Sequence, residues 1–234
     1  MADGLEQEIT VFVPRHDILK VTQVRLRNRS GRPRRVGLVA YAQLDLGSIG
    51  ARAATPLESF REGANLFAWN SAPADFAGRI AFAAAPGSGA RSCTTDRRAF
   101  IGLQGSLSAP RAVRQGGHLD GFTGPAHQAC FALRSTVDLA AGEDSEQVFL
   151  LGEAGTLPEA RELLARYAAE GAAARALAGI REFWEGLTGG LQVSTPEPVL
   201  DVMLNRWLPY QNLSCRMWGR SAYYQSGWAF GFRD

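Results

Sequence analysis

"EQVFLLGEAGTLPEARELLARY", Glu146 to Tyr167, changes period in its middle. Glu146 to Leu151 reads as a strand, with the apolar, β-favouring run Val148–Leu151 at its end. Beyond Gly155 the pattern is helical. Thr156 can serve as N-cap, Pro158 fits the first turn, and Glu159 stands three residues after the cap, where a capping box needs it. Leu163, Leu164 and Tyr167 then begin an apolar helical face. The fold class follows from this switch: β before it, α after it.

Upstream, Ile9–Val13, Val21–Asn28 and Val36–Tyr41 alternate over short runs. Arg29-Ser30-Gly31-Arg32-Pro33 separates the last two, and the pair reads as an antiparallel hairpin. Further strands are expected over Asn65–Trp69, Arg79–Ala84 and Ala129–Asp138, with a turn at Ala140–Glu143 before the strand of the opening quotation. Several short strands between Gly/Pro loops predict an antiparallel β-sandwich. Ser106–Ala126, rich in Gly, Arg and Pro, reads as a long loop.

Downstream, Ala168–Trp184 is alanine-rich, with Leu177, Ile180, Phe183 and Trp184 at helical spacing. Gly171 separates it from the preceding helix, and Gly189-Gly190 ends it. Thr195-Pro196-Glu197-Pro198 starts a third element in which Val199, Val202, Met203, Arg206, Trp207, Tyr210 and Leu213 recur at helical spacing. Pro209 should kink it or leave a carbonyl unpaired. Trp207–Trp218 is apolar nearly all round, so this helix is expected to belong to a larger helical body. The predicted organisation is a partial β-sandwich over 1–153, a helical linker over 154–192 and the first helix of a helical barrel over 193–234.

The 234 residues carry a net charge of +2, which argues against nucleic acid as a partner. The basic run Arg25, Arg27, Arg29, Arg32, Arg34, Arg35 alternates with Val24, Leu26 and Asn28 and reads as a solvated strand face. Cys93, Cys130 and Cys215 are odd in number and far apart, suggesting neither a disulfide framework nor a zinc site. The N-terminus has no apolar signal region and no run reaches about 18 apolar residues, so no membrane contact from this segment and a cytoplasmic location are expected. His16 with Asp17 could form a dyad but reads better as a turn cap; His118 and His127 lack metal-ligand spacing. Ser226 lacks a nucleophile-elbow frame, and no nucleotide-binding motif occurs.

The segment Gly219–Asp234, GRSAYYQSGWAFGFRD, is the most site-like. It sets Arg220, Arg233 and Asp234 among Tyr223, Tyr224, Trp228, Phe230 and Phe232. Arginine suits phosphate through its two-pronged donor geometry, carboxylates suit sugar hydroxyls, and aromatic faces suit sugar rings. A structural Arg–Asp pair inside a helical body fits the composition equally well.

LNRWLPYQNLSCRMWGRSAYYQSGWAFGFRD closely resembles the entry to the catalytic domain of family-94 glycoside hydrolases. VFVPRHDILKVTQVRLRNRSGRPRRVGLVAY and FLLGEAGTLPEARELLARY resemble the cyclic β-1,2-glucan synthase branch of that family. The resemblance covers almost the whole chain. It implies a galactose-mutarotase-like super-sandwich, a helical linker and an (α/α)6 barrel, acting on β-linked glucans by inverting phosphorolysis or glycosyl transfer. By the same resemblance Arg220 matches a phosphate-binding arginine, Asp234 a residue binding donor-side sugar hydroxyls, and Arg233 its neighbour in the motif. No cofactor is implied; inorganic phosphate is the co-substrate and a β-glucan oligosaccharide the partner. The family's general acid lies in a W-N-D motif absent from these residues, and its sandwich begins well before a segment like Gly4–Gln7. The expectation is therefore a fragment truncated at both ends and inactive alone, from a parent that segments outside it could tether to the inner membrane. Trp228 stands where this branch usually has glycine. Self-association through an exposed helix 199–218 is left open, as are the alternatives of a non-catalytic carbohydrate-binding sandwich and a degraded gene product.

Overall fold

The computed structural model describes residues 4–46, 56–71, 78–87 and 90–218. The chain divides into two compact units, Met1–Ala176 and Leu177–Asp234. Strands β1 (Leu5–Phe12), β2 (Leu19–Asn28), β3 (Arg34–Gln43), β4 (Glu58–Glu62), β5 (Asn65–Trp69), β6 (Ile80–Ala84), β7 (Ala90–Asp96), β8 (Ala129–Leu139) and β9 (Asp144–Ala154) build the first unit. Among the described residues they form two antiparallel sheets, ordered β1-β2-β9-β6-β5-β4 and β3-β8-β7.

The core lies between the sheets. Val24, Leu26, Leu66, Ala68, Ala83 and Phe149 of the large sheet pack against Cys93, Phe131, Leu133 and Leu139 of the small one. Two polar pairs cross the same space, Ser59 Oγ to Thr95 Oγ1 and Ser135 Oγ to Gln147 Oε1, each 2.8 Å. On the outer face of the small sheet, α1 (Arg97–Ile101) places Phe100 and Ile101 over Cys130 and Ala132. The short helix α2 (Arg111–Gln115) interrupts the stretch read as a loop; β4 (ESFRE) and β7 (ARSCTTD) have too few apolar residues to show a strand pattern, and α1 and α2, five residues each, are too short to show a helical one.

The outer face of the large sheet is covered by α3 (Leu157–Ala168) and the first turn of α4 (Ala172–Thr188). Both halves of the expected capping box form: Thr156 Oγ1 accepts from the Glu159 amide, and Glu159 accepts from the Thr156 amide. Ala160, Leu164, Tyr167 and Ala173 bury against Leu19, Val21, Phe67, Phe82 and Leu150. Between the helices Gly171 takes φ +69°, a conformation only glycine adopts without strain.

The expected β2–β3 hairpin does not form. β2 is flanked by β1 and β9, which take both of its edges, and β3 joins the other sheet. The Ser-Gly-x-Pro segment is thus a crossover between sheets, and so is the 140–143 turn between β8 and β9. Asn28, fully buried, ties the two crossovers together. Its Nδ2 donates to the carbonyls of Arg32 (2.9 Å), Ala140 (2.8 Å) and Leu139 (3.3 Å). Its Oδ1 accepts from the Ser30 amide (3.1 Å) and hydroxyl (2.6 Å). Its own backbone exchanges hydrogen bonds with Glu143 and Gly142.

The basic run on β2 is a solvated ladder, as its alternation predicts. Arg25 lies 3.4 Å from Glu146 and 4.0 Å from Glu8; Arg27 lies 3.4 Å from Asp144 and 3.7 Å from Glu6; Arg29 lies 3.1 Å from Glu6. Acids on both neighbouring strands neutralise it, so no phosphate-binding stripe results there.

Candidate functional site

The second unit carries the approach to the site-like tail. After α4 the chain is turned by two side-chain clamps. Asn205 donates to the Val193 carbonyl (2.7 Å) and accepts from the Val193 amide (2.8 Å), copying the pairing of a strand neighbour. Asp201 accepts from the Thr195 amide (2.9 Å) and hydroxyl (2.8 Å), satisfying groups just before the helix begins at Pro198. Neither clamp was foreseen. The signal available was the spacing of Asp201 and Asn205, four apart on one helical face.

The helix then changes winding. Pro198–Val202 and Leu208–Gln211 are α-helical, whereas Met203–Trp207 and Asn212–Trp218 wind as π-helix. Pro209 has no amide hydrogen to give to a carbonyl one turn back. The wider π turn immediately before it is how the helix accommodates that missing donor. Trp184 packs on Tyr210 (ring centroids 4.9 Å apart) and Trp218 (5.4 Å), and Phe183 stacks on Trp218 at 6.2 Å. Trp207, Tyr210 and Trp218 nevertheless remain 52%, 42% and 51% exposed. Braced aromatic rings with open faces are surfaces on which a pyranose ring or another helix packs.

Arg220, Arg233 and Asp234, with Ser226 and Trp228, lie outside the described residues. Among the other candidates, His16, His118 and His127 are exposed and are not brought together. Among the described residues no group of His, Cys, Asp and Glu has the arrangement to hold a metal ion. Asp17 does not serve His16. It accepts from Arg166 Nη1 (2.7 Å) and the Tyr167 hydroxyl (2.8 Å), docking α3 on the β1–β2 corner. Burial, with the Asp17 carboxylate beside it, raises the Tyr167 pKa, so the phenol stays a donor. Cys93 and Cys130 are buried free thiols, and burial pushes Cys130 up to about 12. No described helix is long and apolar enough to cross a membrane.

Residues 1–170 match the family model "Glycosyl hydrolase 94, supersandwich domain", and residues 183–234 match "Glycosyl hydrolase 94 superfamily, catalytic domain". The chain is 38% identical over 234 residues to cyclic beta-(1,2)-glucan synthase NdvB of Rhizobium meliloti (strain 1021), covering 99% of this chain and 8% of that protein. It is 30% identical over 217 residues to 3-O-beta-D-glucopyranosyl-beta-D-glucuronide phosphorylase of Paenibacillus borealis, covering 90% and 28%. It is 26% identical over 227 residues to N,N'-diacetylchitobiose phosphorylase of Vibrio furnissii, covering 94% and 28%. The chain thus spans less than a third of the length of each of these relatives.

Proposed function

Because the chain belongs to the glycosyl hydrolase 94 family, we propose that it is the sandwich, linker and barrel-entry portion of an enzyme that makes or breaks β-glucosidic bonds. The functional parts are the partial sandwich over 1–153, the linker over 154–192 and the first helix of an (α/α)6 barrel over 193–234. Its substrates are a β-linked glucan oligosaccharide and inorganic phosphate or an acceptor sugar, with no organic cofactor. The observation that carries this reading is that two successive domains of one family follow each other in this chain in the order 1–170, then 183–234.

Arg220 holds the phosphate through its two-pronged guanidinium, and Asp234, with Arg233 beside it, engages hydroxyls of the donor-side sugar. Phosphate attacks the anomeric carbon from the face opposite the leaving oxygen, inverting the centre. The leaving oxygen takes its proton from an aspartic acid in a W-N-D motif. No such motif occurs among these 234 residues, so they are inactive alone. General acid help is typically worth about 10²–10⁴ in rate. The exposed apolar residues Val199, Val202, Trp207 and Leu208 are the seam that further barrel helices cover, and a second copy covers it when they are absent.

The test has two arms. The 234-residue chain should form no glucose 1-phosphate from any β-glucan plus phosphate. In a longer chain carrying the W-N-D motif, Arg220→Lys should raise the KM for phosphate and Asp234→Asn the KM for glucan. Phosphorolysis by the 234-residue chain, or impaired glucan binding with normal phosphate dependence in Arg220→Lys, would refute the assignment.

A further inference from the structure

A cavity of ≈ 250 Å³ opens between the edges of the two sheets. It is lined by Arg61 of β4, Gly63 and Ala64 of the β4–β5 turn, Ala85 after β6, and Arg91 and Cys93 of β7, among others. Among the described residues no acid is part of its wall.

The strand registers say which way the two cations point. Arg61 pairs with Leu66, a residue of the inter-sheet core, so its side chain leaves β4 on the inner face. Arg91 pairs with Ser135, whose hydroxyl bridges to β9 across the sandwich, so Arg91 also faces inward. Two guanidinium groups, one from each sheet, therefore converge on the same mouth. Arg134 lines the cavity too, but its guanidinium lies on the opposite face of the small sheet, over Gly37.

Arg91 is the informative member. Its Nε and Nη2 are shielded from solvent and have no hydrogen-bond partner. A native protein rarely leaves a buried charged donor empty, because desolvation costs far more than a neutral side chain of the same shape would. Burial is the sole influence on its pKa, which it lowers, with no opposing carboxylate to offset it. Among the described residues many other arginines of this sandwich do sit beside acids: Arg25 and Arg27 on β2, Arg29 just after it, Arg79 with Glu153, Arg161 with Glu62 and Arg166 with Asp17.

We propose that the cavity between β4 and β7 binds a phosphate-type oxyanion through Arg61 and Arg91, either free phosphate or the phosphate of a phosphorylated sugar. A phosphate group offers several acceptor oxygens, so it can meet donors arriving from two different strands. The volume is just below the usual range for ligand clefts and suits one charged group with a small substituent, not an oligosaccharide.

The test is thermal unfolding of the 234-residue chain at fixed ionic strength, with chloride exchanged stepwise for inorganic phosphate or for glucose 1-phosphate. Binding to the folded state should raise Tm by about 3–6 °C at ten times Kd. Arg91→Met should abolish the rise and leave Tm in chloride unchanged or higher, because it removes an unpaired buried charge. Arg61→Met, at an exposed position, should weaken the response several-fold, and Arg220→Ala should retain it. A larger shift with glucose 1-phosphate than with phosphate would identify the phosphorylated sugar as the ligand; equal shifts would identify the free ion. The proposal is overturned if the wild-type chain does not respond to either anion, if Arg91→Met responds like wild type, or if the response disappears in Arg220→Ala and survives in Arg61→Met.

Discussion

Replacing Asn28 with alanine should cost about 4–6 kcal/mol. The figure follows from the bonds that end on one buried amide. Three are of ordinary length, to the Arg32 and Ala140 carbonyls and from the Ser30 hydroxyl, and each is worth about 1 kcal/mol net. The Leu139 carbonyl is buried and the Ser30 amide half-buried; stranding such groups adds about 1–3 kcal/mol. Urea unfolding followed by far-UV circular dichroism should show the midpoint falling by about 1–3 M. Asn28→Asp is the sharper variant. It keeps the acceptor for Ser30 but turns a carboxylate towards three carbonyl oxygens, so at neutral pH it should be worse than alanine. Its folded-state pKa should be raised above the unfolded value of about 3.9. The protonated form can donate again, so stability is regained below that unfolded pKa and lost as pH rises through the folded one. A loss below about 1 kcal/mol in Asn28→Ala, or an Asn28→Asp chain as stable as Asn28→Ala at neutral pH, would refute the claim that this amide holds the two crossovers.

Two further outcomes test the packing. Burial in the sandwich pushes the Cys130 thiol up from 9.0 to about 12; the raised pKa means its contribution is whole below pH 9.0 and lost as pH climbs towards 12, on the order of 4 kcal/mol across that window. Urea midpoints measured against pH should therefore fall less steeply above pH 9 in Cys130→Ala than in wild type, and parallel curves would sink the reading. Gly152 on β9 leaves no room for a methyl group, since a Cβ there would stand 2.6 Å from the Ile18 carbonyl and 2.6 Å from the Phe82 ring. Gly152→Ala should thus destabilise by about 3 kcal/mol or more, and a Tm within a degree of wild type would show that the strands can part more easily than their packing implies.

Much of this protein was legible along the chain. The switch at Gly155, the capping box of Thr156 and Glu159, the helix break at Gly171 and the solvated alternation of Arg25 and Arg27 are all local, and local spacing states which face of an element is buried. The tail motif carried the family resemblance in the same way, through residues adjacent in sequence. What spacing does not state is the partner. A Ser-Gly-x-Pro turn reverses the chain equally well into a hairpin or into a second sheet, and the choice rests on Asn28 meeting carbonyls more than a hundred residues away. His16 and Asp17 read as a turn cap, and nothing local says that Asp17 receives Arg166 and Tyr167 from α3. The convergence of Arg61 and Arg91 is invisible in sequence for the same reason: their strands lie in different sheets, and only the closing of one sheet over the other brings two unmatched cations to a single cavity and withdraws one of them from water.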